Sequence, residues 1–162
     1  MGLVLAFEEN ENAILGYQSA GTYLNGPFLD IGAIRADARE KIEEYDIRPP
    51  DCRLRTANFS GGNQQKIVVA REIEQDPDVL LVGQPTRGVD IGAIEFIHRR
   101  IVAERDGGAA VLLVSAELDE VRSLSDRIAV IYEGRIVGIE PPDASEDRLG
   151  LLMLGGSAKA QA

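Results

Sequence analysis

The sequence predicts an α/β fold in which helices cover a mainly parallel sheet. Two apolar runs, 79–82 and 109–114, are strand-sized and do not alternate with polar residues, as expected of strands buried on both faces. Helical periodicity brackets them: Ile34, Ala38, Ile42 and Tyr45 recur upstream, and Ile94, Ile97, Ile101 and Val102 lie between the runs. The resulting order of helix, strand, helix, strand, helix and hairpin is that of a layered α/β architecture.

Taken in order, residues 8–26 are polar and turn-rich and read as loops. Asp30 can cap a helix reaching Tyr45, and Pro49-Pro50 stops it, because a proline disfavours helical geometry in the residue before it. Residues 64–74 form the next helix, offering Ile67, Val68, Ala70 and Ile73 for burial, and Asp76-Pro77-Asp78 breaks it before the first strand. A loop through Asp90 leads into the third helix, which ends at Gly107-Gly108 ahead of the second strand. Residues 117–124 form a short helix. Residues 127–132, the turn Glu133-Gly134 and residues 135–140 then form a hairpin. The Gly/Ala/Ser/Lys tail, 155–162, is expected to fray, and there is no internal repeat.

A chain of 162 residues, 44% hydrophobic, supports one core, hence a single domain or part of one. Its apolar runs are too short to span a bilayer, and its start lacks the basic region and length of a signal peptide. The lone cysteine, Cys52, allows no internal disulfide, which fits a cytoplasmic protein. A formal net charge of −10 argues against a nucleic-acid partner, because phosphate backbones select basic surfaces. A nucleotide remains compatible with that charge, since backbone N–H groups at a helix start hold phosphates without basic side chains.

The strongest local signal is Phe59-Ser60-Gly61-Gly62-Asn63-Gln64-Gln65-Lys66. Adjacent glycines let a backbone approach a ligand, Ser60 offers a hydroxyl, and the following helix presents free N–H groups and its positive dipole end. By itself the Ser-Gly-Gly pattern favours an ordinary serine-capped, flexible Gly-Gly turn. Its context resembles the ABC ATPase family. The stretch resembles that family's signature, Leu-Ser-Gly-Gly-Gln in its commonest form, and the Asn-Gln-Gln-Lys variant is similar to the second ATPase domain of sugar and nucleoside importers. Downstream, residues 79–86 resemble the Walker B strand, 87–90 the D-loop, 111–120 the switch region and 124–128 the segment after it. Residues 85–98 are similar to the nucleoside-type branch.

The resemblance covers nearly the whole chain. It implies a partial P-loop NTPase fold, with residues 1–58 in the helical subdomain, 59–140 carrying the signature helix and α/β core, and 141–162 a C-terminal extension. It further implies nucleotide binding by Ser60, Gly61, Gly62, Asn63, Gln64 and Asp90, in an assembly with a second ABC ATPase domain and transmembrane permease subunits. ATP and Mg²⁺ belong to that full-length assembly, at the inner face of the cell membrane, and the helix after Asp30 is a candidate permease contact.

Three departures limit the chemistry. No GxxxxGK[ST] loop occurs, and no glycine is followed by lysine, so the chain is read as a fragment that begins after that loop and is inactive alone. Gly83 stands where the family has a metal-holding aspartate, and Gln84 where it has the glutamate general base. An amide orients water without accepting its proton. Ala116 replaces the switch histidine. The only histidine, His98, reads as a partly buried helix residue. No metal site is assigned. The chain's own site is therefore expected to be degenerate, its role being to complete the partner's site. The alternative is a non-enzymatic regulatory or scaffold module derived from an ABC domain. An ABC protein of DNA repair or translation is disfavoured by the acidic charge. Open sheet edges suggest self-association.

Overall fold

The computed structural model describes residues 2–156. It contains six α-helices and six strands among those residues, and divides into two compact units. The first comprises residues up to Leu80 together with Pro85–Val111. The second comprises Leu81–Gln84 with residues from Leu112 onward.

The first unit is built around three helices. The helix expected after Asp30 is α2 (Ile31–Glu44), with the Asp30 carboxylate accepting the Ala33 N–H, and it buries Ile34, Ala38 and Ile42 as the periodicity requires. Its end is not set by Pro49-Pro50. The helix stops at Glu44, ahead of both prolines, and just beyond it Asp46 takes a positive φ of 46° and the Ile47 N–H bonds back to the Ile42 carbonyl. This local C-terminal turn closes the helix and buries Tyr45 and Ile47 completely. Next, α3 (Gly61–Ile73) starts at Ser60, earlier than the expected residue 64, and buries Ile67, Ala70 and Ile73. Val68 is half-buried. The long α4 (Ile91–Gly107) buries Ala93, Ile97 and Ile101 and ends with Gly108 at φ 110°, as Gly107-Gly108 predicts.

Residues 8–26 are more ordered than their composition suggests. They include the short helix α1 (Glu9–Ala13) and the first strand of a small hairpin, β1 (Leu24–Asn25) with β2 (Phe28–Leu29). Besides the local bond from the Glu8 N–H to the Glu11 carboxylate, tertiary contacts hold α1. The buried Asn12 side chain exchanges hydrogen bonds with the Val4 backbone and donates to the Thr56 hydroxyl at 2.8 Å. Arg71, on α3, donates to the Gly2 and Asn12 carbonyls. The Asn12–Thr56 bond and both Arg71 bonds join residues more than forty positions apart, so local sequence does not announce them.

Strands β3 (Val79–Gly83) and β4 (Ala110–Val114) are hydrogen-bonded neighbours. The Ala110 N–H donates to Asp78 at one end and the Gln84 N–H to Val114 at the other, so they run parallel. The expectation that both faces are buried fails. Leu80 is buried, but Val79, Leu81, Leu112 and Val114 are exposed, because no described residue covers that side.

In the second unit, α5 (Leu118–Leu124) matches the expected short helix, and β5 (Ile128–Tyr132) and β6 (Arg135–Glu140) form the expected antiparallel hairpin. Glu133 and Gly134 both have positive φ, which suits a tight two-residue turn. The extension after residue 140 is not merely a tail. It forms α6 (Glu146–Met153), capped by Ser145, whose Leu149 and Leu152 pack with Ile128 and Val130 into one core. The fraying expected of 155–162 falls largely on residues 157–162, outside those described. No helix among the described residues is long and apolar enough to cross a membrane.

Glu9, on α1, is fully buried, and neither of its carboxyl oxygens has a hydrogen-bond partner. Burial pushes this carboxyl from 4.5 up to about 8, against the pull of Lys41 and with Asp37 adding to the rise. Because the folded pKa lies above the unfolded one, the stabilisation is complete below 4.5 and is lost as pH rises through about 8. The limiting slope is about 1.4 kcal/mol per pH unit for one proton. Urea unfolding of the chain between pH 5 and 8 is expected to show this decline, and Glu9→Gln is expected to flatten it.

Candidate functional site

The signature-like stretch is placed at the start of α3. Ser60 is its N-cap, in extended backbone conformation, and both Ser60 and Gly61 are exposed. The first N–H groups of any α-helix lack intrahelical partners, so this end has donors to offer. The start of α4 lies against it. A Cβ built on Gly62 would come within 2.7 Å of Asp90 Oδ2 and 3.0 Å of Ala93 Cβ, and one on Gly61 would reach the Gly88 carbonyl at 3.3 Å. Gly62 is thus glycine because the backbone of α3 touches the start of α4. Asp90 itself caps α4, accepting the Ala93 N–H at 3.0 Å, and Gly88, at φ 74°, turns the loop ahead of it. Ser60, Gly61, Gly62 and Asp90, predicted separately from two motifs, are brought together.

The polar side chains that follow are engaged within the protein. Asn63 donates from Nδ2 to Ser60 Oγ at 2.8 Å and accepts the Arg48 N–H at 2.7 Å. Gln64 turns back, its amide nitrogen donating to the Phe59 and Thr56 carbonyls at 2.9 and 3.1 Å. That bond pair ties the first turn of α3 to the short 3₁₀ turn, Thr56–Asn58, that precedes it.

Gln84, Gly83 and Ala116 belong to the second unit. Gln84 follows β3 with φ 52°, a left-handed conformation rare for a residue with a side chain. Gly83, by contrast, has no positive φ, and a Cβ there would meet no heavy atom within 4 Å. Its glycine is not demanded by local packing. Ala116 is exposed, just before α5. His98 is half-buried on α4, as its spacing suggests.

Sequence reasoning missed the cluster that links the helices around the signature-like stretch. Arg100, on α4, lies over the Tyr45 ring at 4.3 Å and near the Phe96 ring at 5.4 Å, and pairs with Glu44 at 2.9 Å. Tyr45 meets Phe96 edge-on, with ring centroids 6.0 Å apart, and its hydroxyl donates to Glu74 at 2.7 Å. Burial and the Glu74 carboxylate push the Tyr45 phenol upward, so it stays protonated. Lys66, on α3, sits 4.8 Å over Phe96 and donates to the Asp46 carbonyl. Each residue looks like ordinary helix composition in the sequence. Only their distances reveal the cluster.

Over 159 residues, 98% of its length, the chain is 48% identical to the guanosine import ATP-binding protein NupO of Bacillus subtilis (strain 168). The chain belongs to the ABC transporter ATP-binding proteins. It is likewise 48% identical to the nucleoside import ATP-binding protein NupA of Lactococcus lactis subsp. cremoris (strain MG1363), over 96% of its length. Against the xylose import ATP-binding protein XylG of Thermoanaerobacter pseudethanolicus it is 37% identical over 157 residues. This ABC chain spans about 31% of the length of the two nucleoside relatives and 30% of the xylose one. No family model matches it.

Solved structures establish the fold. A dimeric ATP-binding cassette bound to ADP and Pi superposes with TM-score 0.67 at 22% identity, covering 88% of this chain and 60% of that one. An ATP-binding subunit of an ABC transporter gives TM-score 0.71 at 19% identity, covering 94% and 64%. The ABC chain is accordingly a partial α/β P-loop NTPase domain.

The Gly62–Asp90 approach makes a steric prediction. Gly62→Ala is expected to destabilise the ABC chain by about 1–3 kcal/mol, the usual cost of forcing a methyl group into a packed contact. Gly61→Ala, with the roomier 3.3 Å approach, is expected to cost less. Denaturant midpoints of the two variants against the parent check the order.

Proposed function

We propose that this chain is the signature-bearing part of the second ATPase domain in the ATP-binding subunit of a nucleoside or simple-sugar importer. The observation that carries the reading is the open start of α3, with Ser60 and Gly61 exposed and Gly62 seated on Asp90. The sequence support is the 48% identity to proteins named for guanosine and nucleoside import. In this reading residues 1–58 belong to the helical subdomain, 59–140 to the signature helix and core, and 141–162 to a C-terminal extension. The assembly works at the cytoplasmic face of the membrane. There α2 is a candidate contact for the permease subunits, and the substrate class follows from those relatives.

The residues present suit one part of an ATP site. Ser60 would offer its hydroxyl, and the N–H groups of Gly61 and Gly62 would face the terminal phosphate held by a partner ATPase domain, where a helix start favours negative charge. Asn63, Gln64 and Asp90 complete this segment by holding its shape. ATP supplies the phosphoryl group, with Mg²⁺ neutralising its charge in the assembled pair.

The chain's own half-site is degenerate. Gly83 offers no carboxylate to a metal ion, Gln84 cannot accept a proton from water, and Ala116 cannot donate to a phosphate. Alone, the chain has no phosphate loop in its sequence and is expected to show no micromolar Mg-ATP binding by calorimetry. Its exposed Leu81, Leu112 and Val114 also give it apolar surface for self-association.

The decisive experiment uses the complete transporter. Gly61→Asp places a negative charge where the phosphate must approach and adds a side chain 3.3 Å from the Gly88 carbonyl, so ATP turnover and transport are expected to be lost while nucleotide binding on the partner domain persists. Ser60→Ala, the loss of one oxyanion-type donor, is expected to reduce turnover by up to ~10²–10³. Unchanged turnover in Gly61→Asp would remove the signature assignment. Gln84→Glu is expected not to create a fast second site, because Gly83 and Ala116 remain and groups acting as a unit do not add independently. Single-site turnover rising to the partner's rate on that change would overturn the degenerate reading.

A further inference from the structure

Asn63 occupies a chemically asymmetric position. Its side-chain oxygen accepts the Arg48 backbone N–H at 2.7 Å. A backbone N–H can only donate, so the orientation of the Asn63 amide is fixed with oxygen toward Arg48 and nitrogen toward Ser60. That nitrogen lies 2.8 Å from Ser60 Oγ and can only donate to it. The Asn63 backbone N–H approaches the same oxygen at 3.4 Å. Ser60 Oγ therefore receives one short and one long donor contact from within the protein, both from Asn63. Its single hydroxyl proton is left to point outward, at an exposed position.

We infer that Asn63 is a positioning residue that commits the Ser60 hydroxyl to act as a donor. A serine hydroxyl is otherwise ambivalent, able to donate to one neighbour and accept from another. Held by Asn63, it presents only a proton, which suits an acceptor-only ligand atom such as an ionised phosphate oxygen and disfavours a ligand atom that donates. The fixing group, Arg48 N–H, belongs to the turn after α2. That turn is held to α3 by Lys66, which donates to the Asp46 carbonyl at 2.7 Å and pairs with the Asp46 carboxylate at 3.7 Å. The polarity of one hydroxyl at the start of α3 thus depends on where the α2–α3 turn sits. This inference rests on the proposed role of Ser60 toward the partner's nucleotide and assigns Asn63 to act through Ser60 rather than on the nucleotide directly.

A double-mutant cycle in the complete transporter tests it, with steady-state ATP turnover and nucleotide binding measured for each variant. Asn63→Ala is expected to lower turnover by about five- to tenfold, the worth of one lost hydrogen bond, with the nucleotide KM little changed. In a Ser60→Ala background the same change is expected to matter by less than about twofold, since no hydroxyl is left for Asn63 to act through, whereas independent sites would keep the full effect. Asn63→Asp keeps the shape and the Arg48 bond but turns the inward-facing atom into an acceptor. It is expected to reduce turnover more than Asn63→Ala does, through both the captured Ser60 proton and the added negative charge, so that only part of the excess is lost when Ser60 is alanine. Thermal melts confirm that each variant is folded. If Ser60→Ala lowers turnover while Asn63→Ala leaves it unchanged, or while the two effects multiply in full, Asn63 does not act through Ser60 and the inference fails. If Ser60→Ala itself has no effect, the proposed function falls and this inference with it.

Discussion

The contact between the start of α3 and the start of α4 is a strict constraint on the first unit. It needs a residue without a side chain at 62, because Asp90 Oδ2 already occupies the space a methyl group would take. It also needs Asp90 there, because its other carboxylate oxygen accepts the Ala93 N–H and begins α4. One carboxylate thereby caps one helix and bounds another. A negative side chain is favourable beside two helix N-termini, whose unpaired N–H groups carry partial positive charge. The same contact brings the two motifs into one place, so the packing requirement and the candidate site are a single piece of geometry.

Around that contact, the orientation of the helices is held by charged groups lying on aromatic rings. Arg100 and Lys66 flank Phe96, and Arg100 also covers Tyr45 while pairing with Glu44. Each cation–ring contact is worth about 0.5–2 kcal/mol, more when water is excluded. Their importance is less in the sum than in the directions they link. Tyr45 and Glu44 end α2, Lys66 lies on α3, and Phe96 and Arg100 lie on α4. A shift of any one of these helices strains contacts to the other two, which preserves the geometry at Ser60.

The second unit depends on a different arrangement. Its core is formed when α6 lays Leu149 and Leu152 against Ile128 and Val130 of the hairpin, and ion pairs of Arg148 with Glu140 and Arg122 with Glu146 border it. Gly138 lies where a side chain would strike Leu152 at 2.8 Å, so the helix sits directly on the sheet. Gly83 shows the opposite case. No neighbour demands a glycine there, and its consequence is the carboxylate it does not provide.

What the sequence by itself determined was whatever depends on local rules or on residue identity. The start of α2 at the Asp30 cap, the Gly108 stop and the turn at Glu133-Gly134 follow from short-range sterics and hydrogen bonds, which adjacent residues encode. The motifs were legible because their residue types are tied to one task, and the proposed loss of chemistry at Gly83, Gln84 and Ala116 rests on side-chain identity alone, which is read directly from the sequence. Tertiary structure decided the rest. Helices α1 and α6 are short, and α1 is held by distant partners as well as by its local Glu8–Glu11 cap, so their local patterns were weak. The strand runs looked two-sided, yet burial depends on what lies across the sheet, which no run of hydrophobic residues specifies. That Asn63 turns toward Ser60 was also decided there, because the N–H that fixes its amide comes from Arg48, fifteen residues away.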